Sequence, residues 1–247
     1  MPKLFNEVTN KQGLIVYSGG ASTDYGIVVG EAPAFEKPNK RLQVFNIPGR
    51  NGSVIIEDKS FDDTVRSYEV WLSDNEELDL NKTIYKVSEW LFSPSGYRRL
   101  EDSFEPDVFR LAYYSGGEEI TNELMMYGKT TLKFTCRPER FYKEGELERT
   151  ISNGSFIYNE TAFESRPLIH IEGSGSVSVS IQGVTINATV TDYINIDCET
   201  MNAYRLPSEN KNDKISGSFP FIRPGKNTVS TTGSISKVTI IPRFFTI

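Results

Sequence analysis

The stretch of sequence that decides the fold lies near the end of the chain and reads Phe219-Pro220-Phe221-Ile222-Arg223-Pro224-Gly225-Lys226-Asn227-Thr228-Val229, followed by Ile235-Ser236-Lys237-Val238-Thr239-Ile240-Ile241-Pro242-Arg243. Proline fixes φ and glycine accepts positive φ, so Pro224-Gly225 predicts a tight turn. Gly233 predicts a second break in the chain. The β-branched run that follows it predicts a terminal strand. We therefore expect a strand, a turn and two further strands here.

The same pattern of short apolar runs between turn residues recurs through most of the chain. Such runs are typical of β-strands, and they lie at residues 14–18, 27–29, 65–72, 108–114, 131–136, 167–172, 177–181, 184–186, 194–198 and 202–205. Directly after the run at residues 131–136, Arg137-Pro138 predicts the end of the strand. The sequence predicts a mainly β fold.

One segment, Asp79 to Phe92, has the period of a helix. Leu80, Ile84, Val87 and Leu91 lie on one stripe, at i, i+4, i+7 and i+11, which predicts a single amphipathic helix. Asp79 is a suitable N-cap, and Pro94 and Gly96 end the pattern. We expect the aromatic end of this helix, which contains Trp90, to pack in the core.

Residues 42–58 predict a β-hairpin. Pro48-Gly49 and Asn51-Gly52 supply two consecutive positions suited to positive φ between two apolar runs, which is a strong hairpin signal. Arg50 lies at the tip between the glycines. Two interpretations of Arg50 remain open: a solvated turn residue or a contact in an interface.

The charged, apolar-poor residues 139–148 predict a domain boundary, which divides the chain into residues 1–140 and 145–247. After this boundary the sequence has no tryptophan and no helical stripe, and it is rich in Ser, Thr and Gly. Short strands at regular spacing with turn signals between them predict a β-sandwich in the second part.

Charge and hydropathy exclude several classes of protein. The net charge is −6, with 18 Lys and Arg against 23 Asp and Glu in residues 1–144 and 9 against 10 in residues 145–247. Neither part has the basic character of a nucleic-acid binder. Mean hydropathy is −0.38, no apolar run is long enough to span a bilayer, and the first residues do not resemble a signal peptide. We expect a protein made in the cytoplasm that does not insert into a membrane.

The residues needed for catalysis or for holding a metal are scarce. His170 is the single histidine in the sequence and lies between two isoleucines, which favours a residue on a strand face over a ligand or a catalytic base. We interpret Cys136 and Cys198 as reduced core residues, with a disulfide between them as the alternative. Phosphate-binding and calcium-binding loop motifs are absent from the sequence. We therefore predict no enzyme activity and no catalytic, metal or cofactor site.

A β-sandwich also raises the possibility of sugar binding, which usually requires an aromatic platform beside polar groups. Both tryptophans, Trp71 and Trp90, lie in the first part of the chain. The aromatic candidates in the second part are Tyr158, Tyr193 and Tyr204. A carbohydrate-binding module that takes part in recognition of the host cell wall is therefore the alternative function.

Six motifs, in order along nearly the whole chain, resemble those of siphophage distal tail proteins, the hub at the tip of a long non-contractile phage tail. They are residues 24–29 (Asp-Tyr-Gly-Ile-Val-Val), 40–52 (ending Ile-Pro-Gly-Arg-Asn-Gly), 134–138 (Phe-Thr-Cys-Arg-Pro), 167–175 (starting Pro-Leu-Ile-His-Ile), 196–204 (Ile-Asp to Ala-Tyr) and the terminal stretch quoted above. Each motif alone is weak evidence for this family. All six in the family's order are fairly specific evidence for it.

The resemblance implies an N-terminal ring-forming, or belt, domain in residues 1–140 and a galectin-like β-sandwich in residues 145–247. It implies a homo-hexameric ring in the virion of a phage or prophage, at the tail tip or baseplate. Its partners would be the major tail tube protein, the tape measure protein and the tail-associated fibre or lysin protein, and DNA would only pass through the channel. We predict that the subunit interface includes Tyr25, Gly26, Pro48, Gly49, Arg50 and Gly52.

Overall fold

A computed structural model of the protein describes residues 13–72, 80–116 and 129–247. Within these residues the chain is mainly β with a single α-helix, which confirms the predicted fold class. The chain divides into two compact units. The first unit consists of Met1–Arg140 with Ile247, and the second consists of Phe141–Thr246.

The helix α1 covers Leu80–Phe92. Short 3-10 helices lie at Ser22–Tyr25, Lys143–Glu146 and Asn212–Lys214. The strands of the described residues are, in chain order, β1 Ile15–Tyr17, β2 Gly20–Ala21, β3 Ile27–Val29, β4 Lys40–Phe45, β5 Val54–Phe61, β6 Thr64–Leu72, β7 Arg98–Asp102, β8 Val108–Tyr114, β9 Lys129–Tyr142, β10 Arg149–Thr150, β11 Phe156–Asn159, β12 Leu168–Ile181, β13 Val184–Val190, β14 Tyr193–Asp197, β15 Asn202–Tyr204, β16 Ile215–Gly217, β17 Gly225–Ile241 and β18 Phe245–Thr246.

The first unit is built on one sheet with the strand order β2-β1-β7-β8-β9-β6-β3. One face of this sheet carries alternate buried residues such as Tyr68, Val70, Leu132 and Phe134. Because side chains alternate between the two faces of a strand, these residues share one side and form the core.

Helix α1 supplies the rest of this core. Ile84, Val87 and Leu91 are buried, as the predicted stripe requires. Trp90 is also buried, and its indole N–H donates to the carbonyl of Tyr17 at 3.0 Å. The predicted N-cap, Asp79, lies outside the described residues.

The prediction that Arg137-Pro138 ends a strand is wrong, because β9 continues to Tyr142. Proline lacks an N–H group and is tolerated in a strand where no neighbour needs that donor. Strand β6 pairs with β9 only as far as Cys136. Pro138 therefore lies beyond the ladder with β6 and removes no hydrogen bond from it.

Strands β4 and β5 form a separate two-stranded antiparallel sheet. Its register pairs Val44 with Ile55 and Phe45 with Val54. The hairpin predicted at residues 42–58 is confirmed, with Gly49 and Gly52 at positive φ in the connecting loop.

The second unit is built on one sheet with the strand order β10-β17-β12-β13-β16. Strand β11 pairs with the first residues of β17, and β14 and β15 extend from the first half of β12. The expected series of short strands is partly wrong, because β12 and β17 are 14 and 17 residues long.

The predicted break at Gly233 is absent, since β17 runs without interruption from Gly225 to Ile241. Gly233 has φ +97° and lies opposite Val177, where the register between β12 and β17 shifts. Glycine with positive φ at a bulge bends a strand without ending it. The strand predicted before Pro224 is reduced to an isolated bridge between Ser165 and Ile222.

The two halves of the long strands bury their inward side chains in the same core. Ile169 and Ile171 come from the first half of β12, and Val177, Val179 and Ile181 come from the second half. The sheet is therefore curled around one hydrophobic core, and the side chains between these residues face outward.

Candidate functional site

The most exposed part of the first unit is the hairpin of residues 40–61, here called the arm. It contains β4, β5 and the loop between them. Almost all of its residues are exposed or half-buried. In the described part of the chain, neither strand of the arm pairs with a third strand.

Both faces of the arm carry apolar side chains. The register places Leu42, Val44 and Ile55 on one face, where each is between 44% and 57% exposed. Phe45 and Ile56 lie on the other face and are exposed to a similar degree. None of these side chains belongs to either hydrophobic core. Exposed apolar surface on both sides of a thin element makes the arm a candidate contact surface.

The base of the arm is held by an exposed ion pair and a backbone hydrogen bond. Arg41 Nε lies 2.7 Å from Asp62 Oδ1, and the amide of Asp62 donates to the carbonyl of Asn39 at 2.9 Å. Residues 40–61 contain four basic and two acidic side chains, a net charge of +2. Because the whole chain carries −6, the remainder of the chain carries −8.

The tip of the arm holds four of the six predicted interface residues: Pro48, Gly49, Arg50 and Gly52. All four are exposed. Gly49 and Gly52 have φ values of +81° and +82°, and the amide of Arg50 donates to the carbonyl of Ile47 at 3.2 Å. These positions shape a tight tip that presents Arg50 to the surroundings.

The other two predicted interface residues, Tyr25 and Gly26, lie on a different element. Tyr25 is half-buried and stacks on Trp90, with ring centroids 4.7 Å apart and planes 13° apart. Burial raises the pKa of the Tyr25 hydroxyl. Gly26, at φ +67°, caps the 3-10 helix Ser22–Tyr25. Tyr25 thus packs against the helix of its own unit, and the six residues form two groups.

The prediction from sequence omitted the apolar side chains of the arm. A signal for them exists in Val54-Ile55-Ile56 and Val44-Phe45, because consecutive apolar residues in a strand must occupy both faces. The sequence therefore contained the information that this hairpin has apolar side chains on both faces.

A buried ionic cluster in the first unit was also missed. Arg66 contacts Asp102 and Glu105, each at 2.9 Å, and the hydroxyl of Tyr68 donates to Asp102 at 2.8 Å. Arg110 pairs with the same Glu105. The alternation of side chains along β6 places Arg66 on the same face as Tyr68 and Val70. This placement was the signal in the sequence that Arg66 is buried.

The cluster stabilises the charged form of its arginine. Burial by itself would lower the pKa of Arg66, but the neighbouring Tyr68, Asp102 and Glu105 outweigh burial and raise it. Burial and the carboxylate of Asp102 raise the pKa of Tyr68 well above its ordinary value. The adjacent cavity is about 10 Å³, the size of one water molecule. The cluster thus fixes β6, β7 and β8 to one another and has no space for a substrate.

Cys136 and Cys198 are free and buried, which agrees with the prediction of two reduced core residues. Burial raises the pKa of each thiol to about 12, so neither forms a thiolate readily. Among the described residues, no group of three or more His, Cys, Asp or Glu side chains is placed to hold a metal ion. The single α-helix of the described chain is too short and too polar to cross a membrane.

The three tyrosines considered for sugar binding lie at two places in the second unit. Tyr158 is exposed on β11, opposite Lys226. Tyr193 on β14 and Tyr204 on β15 lie close to each other on the outer face of the curled sheet, near His170. The structure therefore groups two of the three with the single histidine of the sequence.

Comparison with known proteins bears on both the sequence motifs and the fold. Residues 22–136 match the family model described as the phage tail protein RIFT-related domain. The fold is similar to the crystal structure of the SPP1 Dit (gp 19.1) protein, described as a paradigm of the hub adsorption apparatus in phages that infect Gram-positive bacteria. The TM-score is 0.72 and the identity 17%, over 96% of this chain and 100% of that one. No protein with a curated description matches the sequence significantly. The match to a phage tail family model and the similarity of the fold both agree with the resemblance that the sequence motifs predict.

Proposed function

We propose that this protein is the structural hub of a phage or prophage tail tip, a proposal supported by the match of residues 22–136 to the family model described as the phage tail protein RIFT-related domain. Copies of the chain assemble into a closed ring through the first unit, with a central channel for DNA. The ring joins the tail tube and tape measure proteins to the tail-associated fibre or lysin protein. The protein is a component of the virion and acts by shape and contact, without catalysis.

The observation that carries this proposal is the arm. A single two-stranded hairpin is marginally stable in water, and three or more strands or a packed face are normally required. Among residues 13–72, 80–116 and 129–247, no strand pairs with either outer edge of the arm, and both faces of the arm are apolar. Such an element is stable when a neighbouring molecule covers it.

A second copy of the chain fits the arm as this neighbour. The arm carries a net charge of +2 and the remainder of the chain −8, so copies attract through complementary charges. The arm lies on one element, and the surface that it contacts lies elsewhere on the next copy. A head-to-tail contact of this kind generates a ring when its rotation closes. The number of six subunits follows from the resemblance to distal tail proteins.

A channel through such a ring suits the passage of DNA. The chain is acidic overall, and neither part of it has a surplus of basic residues. A basic lining would neutralise phosphates and bind the DNA tightly. An acidic ring leaves the nucleic acid free to move.

The test is the assembly state of the full chain and of an arm variant, Val44→Glu combined with Ile55→Glu. These two side chains lie opposite each other on one face of the arm and are both more than half exposed. Wild-type protein is expected to form a ring in negative-stain images and an oligomer in light scattering, alone or with the tail tube protein. The variant is expected to remain folded and monomeric, because charges replace the apolar contact.

A matched control carries the same change of charge outside the arm, as Leu147→Glu combined with Phe156→Glu. Both residues are exposed in the second unit, and this control is expected to assemble as the wild type does. A wild-type chain that stays monomeric at high concentration with its partner proteins present contradicts the proposal. An arm variant that still forms rings contradicts the role of the arm.

A further inference from the structure

The outer face of the second unit carries an ordered set of polar and aromatic side chains, here called the His170 face. Strands β17, β12, β14 and β15 lie side by side there. Residues opposite one another in neighbouring antiparallel strands point to the same side. The register places the outward side chains in two rows. The first row consists of Thr239, His170, Asn195 and Tyr204, and the second consists of Lys237, Glu172 and Tyr193.

The alternate residues of the same strands define which side is outward. Ile169, Ile171, Ile194 and Ile196 are buried in the core of the second unit. His170, Glu172, Tyr193, Asn195 and Tyr204 are half-buried, so part of each side chain is accessible. Thr239 is buried, and the other residues of the His170 face are open to a ligand from the outside of the sheet.

Several side chains of this face are held in place by contacts among themselves. His170 Nδ1 lies 2.8 Å from Asn195 Oδ1, and Asn195 Nδ2 donates to the carbonyl of Arg205 at 3.1 Å. The guanidinium of Arg205 lies 5.2 Å from the centre of the Tyr193 ring and also donates to Asp192 at 2.8 Å. A ligand that binds here meets polar groups that are already oriented, which reduces the entropy cost of binding.

A groove of about 340 Å³ continues from this face. It is lined by Asn202, Tyr204, Pro207, Ser208 and Asn210. Tyr204 ends the His170 row and also lines the groove, so the two features are continuous. The volume lies within the range of small-ligand sites, about 300–1,000 Å³, and the lining combines an aromatic ring with amide and hydroxyl groups.

The charges on this face identify the class of ligand. The cations Arg205 and Lys237 are balanced by the anions Glu172 and Asp192, with Lys237 3.9 Å from Glu172. A balanced set of donors and acceptors matches neutral hydroxyl groups better than a phosphate or a cationic group. Aromatic rings beside such groups supply the apolar contact that the faces of sugar rings require.

We propose that the His170 face and the adjoining groove bind a neutral carbohydrate chain, with one sugar beside Tyr193 and the next in the groove at Tyr204. The Glu172 carboxylate accepts hydrogen bonds from sugar hydroxyls, and Arg205 and Asn210 donate to ring or hydroxyl oxygens. None of the residues of this site lies in the arm, so substitutions in the site leave the arm itself unchanged.

The test is binding of the full chain to an array of hexose and N-acetylhexosamine oligosaccharides, followed by calorimetry with the strongest binder. Glu172→Gln and Asn210→Ala each remove one hydrogen-bonding group at the surface. Each is expected to weaken binding about tenfold or more, since a hydrogen bond to a ligand has then lost its partner. Tyr204→Ala is expected to abolish binding, because it removes the aromatic contact shared by face and groove.

Two controls separate this site from the rest of the molecule. Tyr158→Ala removes an exposed tyrosine on β11, in the other half of the curled sheet, and is expected to leave affinity unchanged. Ring assembly is expected to be normal in all of these variants. A native chain that binds no oligosaccharide at millimolar concentration overturns the proposal, and so does binding that survives both Glu172→Gln and Asn210→Ala.

Discussion

At the scale of single residues, Asp102 is the central acceptor of the first unit. It is buried, and its carboxylate accepts hydrogen bonds from Arg66, Tyr68 and the amides of Phe104 and Glu105. Removing one partner from a buried ion pair leaves the other charge without compensation, which costs far more than losing an exposed pair. The stability of the first unit therefore depends strongly on this one side chain.

Asp102→Ala is expected to lower the free energy of unfolding by about 3–5 kcal/mol, since Arg66 would lose its main buried partner. Asp107→Ala is the matched control, because Asp107 is exposed on the turn that follows the same strand. Its expected cost is within about 0.5 kcal/mol. Chemical denaturation of both variants measures the difference, and equal small effects contradict a structural role for the cluster.

Asp197 predicts a pH dependence of stability in the second unit. Its carboxylate pairs with Arg243 through two hydrogen bonds of 2.6 and 3.2 Å. Burial by itself would raise the pKa of Asp197, but Arg243 and the amides of Glu199 and Thr200 lower it below 3.8. The folded state therefore releases this proton more readily than the unfolded state, and the carboxylate stabilises the fold above the unfolded pKa.

Asp197→Asn is expected to cost about 1.5–3 kcal/mol at pH 7, where a hydrogen bond to a charged group is lost. As the pH falls through the lowered pKa, wild-type Asp197 becomes protonated and the difference between the two proteins shrinks. Urea unfolding at pH 7 and at pH 3 measures this change. A difference that stays constant across this range shows that the pair does not control acid stability.

At the scale of elements, the bend in β17 determines how the second unit closes around its core. Gly233 allows this bend, because its φ of +97° is unfavourable for residues with a side chain. A Cβ at this position would lie 2.3 Å from the carbonyl oxygen of Ser176. Both the backbone conformation and the close contact with β12 require glycine here.

Gly233→Ala is expected to destabilise the second unit more than Gly154→Ala does. Gly154 also has positive φ, at +79°, but a Cβ there would contact no atom within 4 Å. The control therefore includes only the conformational cost of about 1–2 kcal/mol, and the excess at Gly233 measures the clash with β12. If chemical denaturation shows the same loss of unfolding free energy for both variants, β12 and β17 separate easily at the bulge.

At the scale of the whole molecule, the arm differs from the two units in packing and in charge. Its apolar side chains belong to neither core, and it is basic while the rest of the chain is acidic. Because both cores are complete without the arm, the apolar side chains of the arm add no stability to a single copy of the chain. The cost of exposing it is offset when the arm is covered in an assembly, which is the physical basis of the proposed ring.

The His170 face has a different role at this scale. It lies on the second unit, whose core does not include the arm. The proposed ring assembles through the arm, and the proposed carbohydrate site lies on the second unit. The two proposals therefore predict separable variants: arm substitutions that affect assembly and face substitutions that affect carbohydrate binding.

The sequence by itself determined the β class, the single helix and the hairpin, because these depend on local periodicity and turn residues. Ile84, Val87 and Leu91 had to share a helix face, and Pro48-Gly49 with Asn51-Gly52 had to reverse the chain. The ordered motifs also indicated the resemblance to phage distal tail proteins.

Only the tertiary structure decided which strands continue through their glycines and prolines and which side chains meet. Gly233 bends β17 without ending it because β12 runs beside it on both sides of the bulge. Arg66, Asp102 and Glu105 form a cluster because β6 and β7 lie in one sheet, which brings together residues more than thirty positions apart. Contacts of this kind depend on strand order and register, and no local pattern in the sequence encodes those.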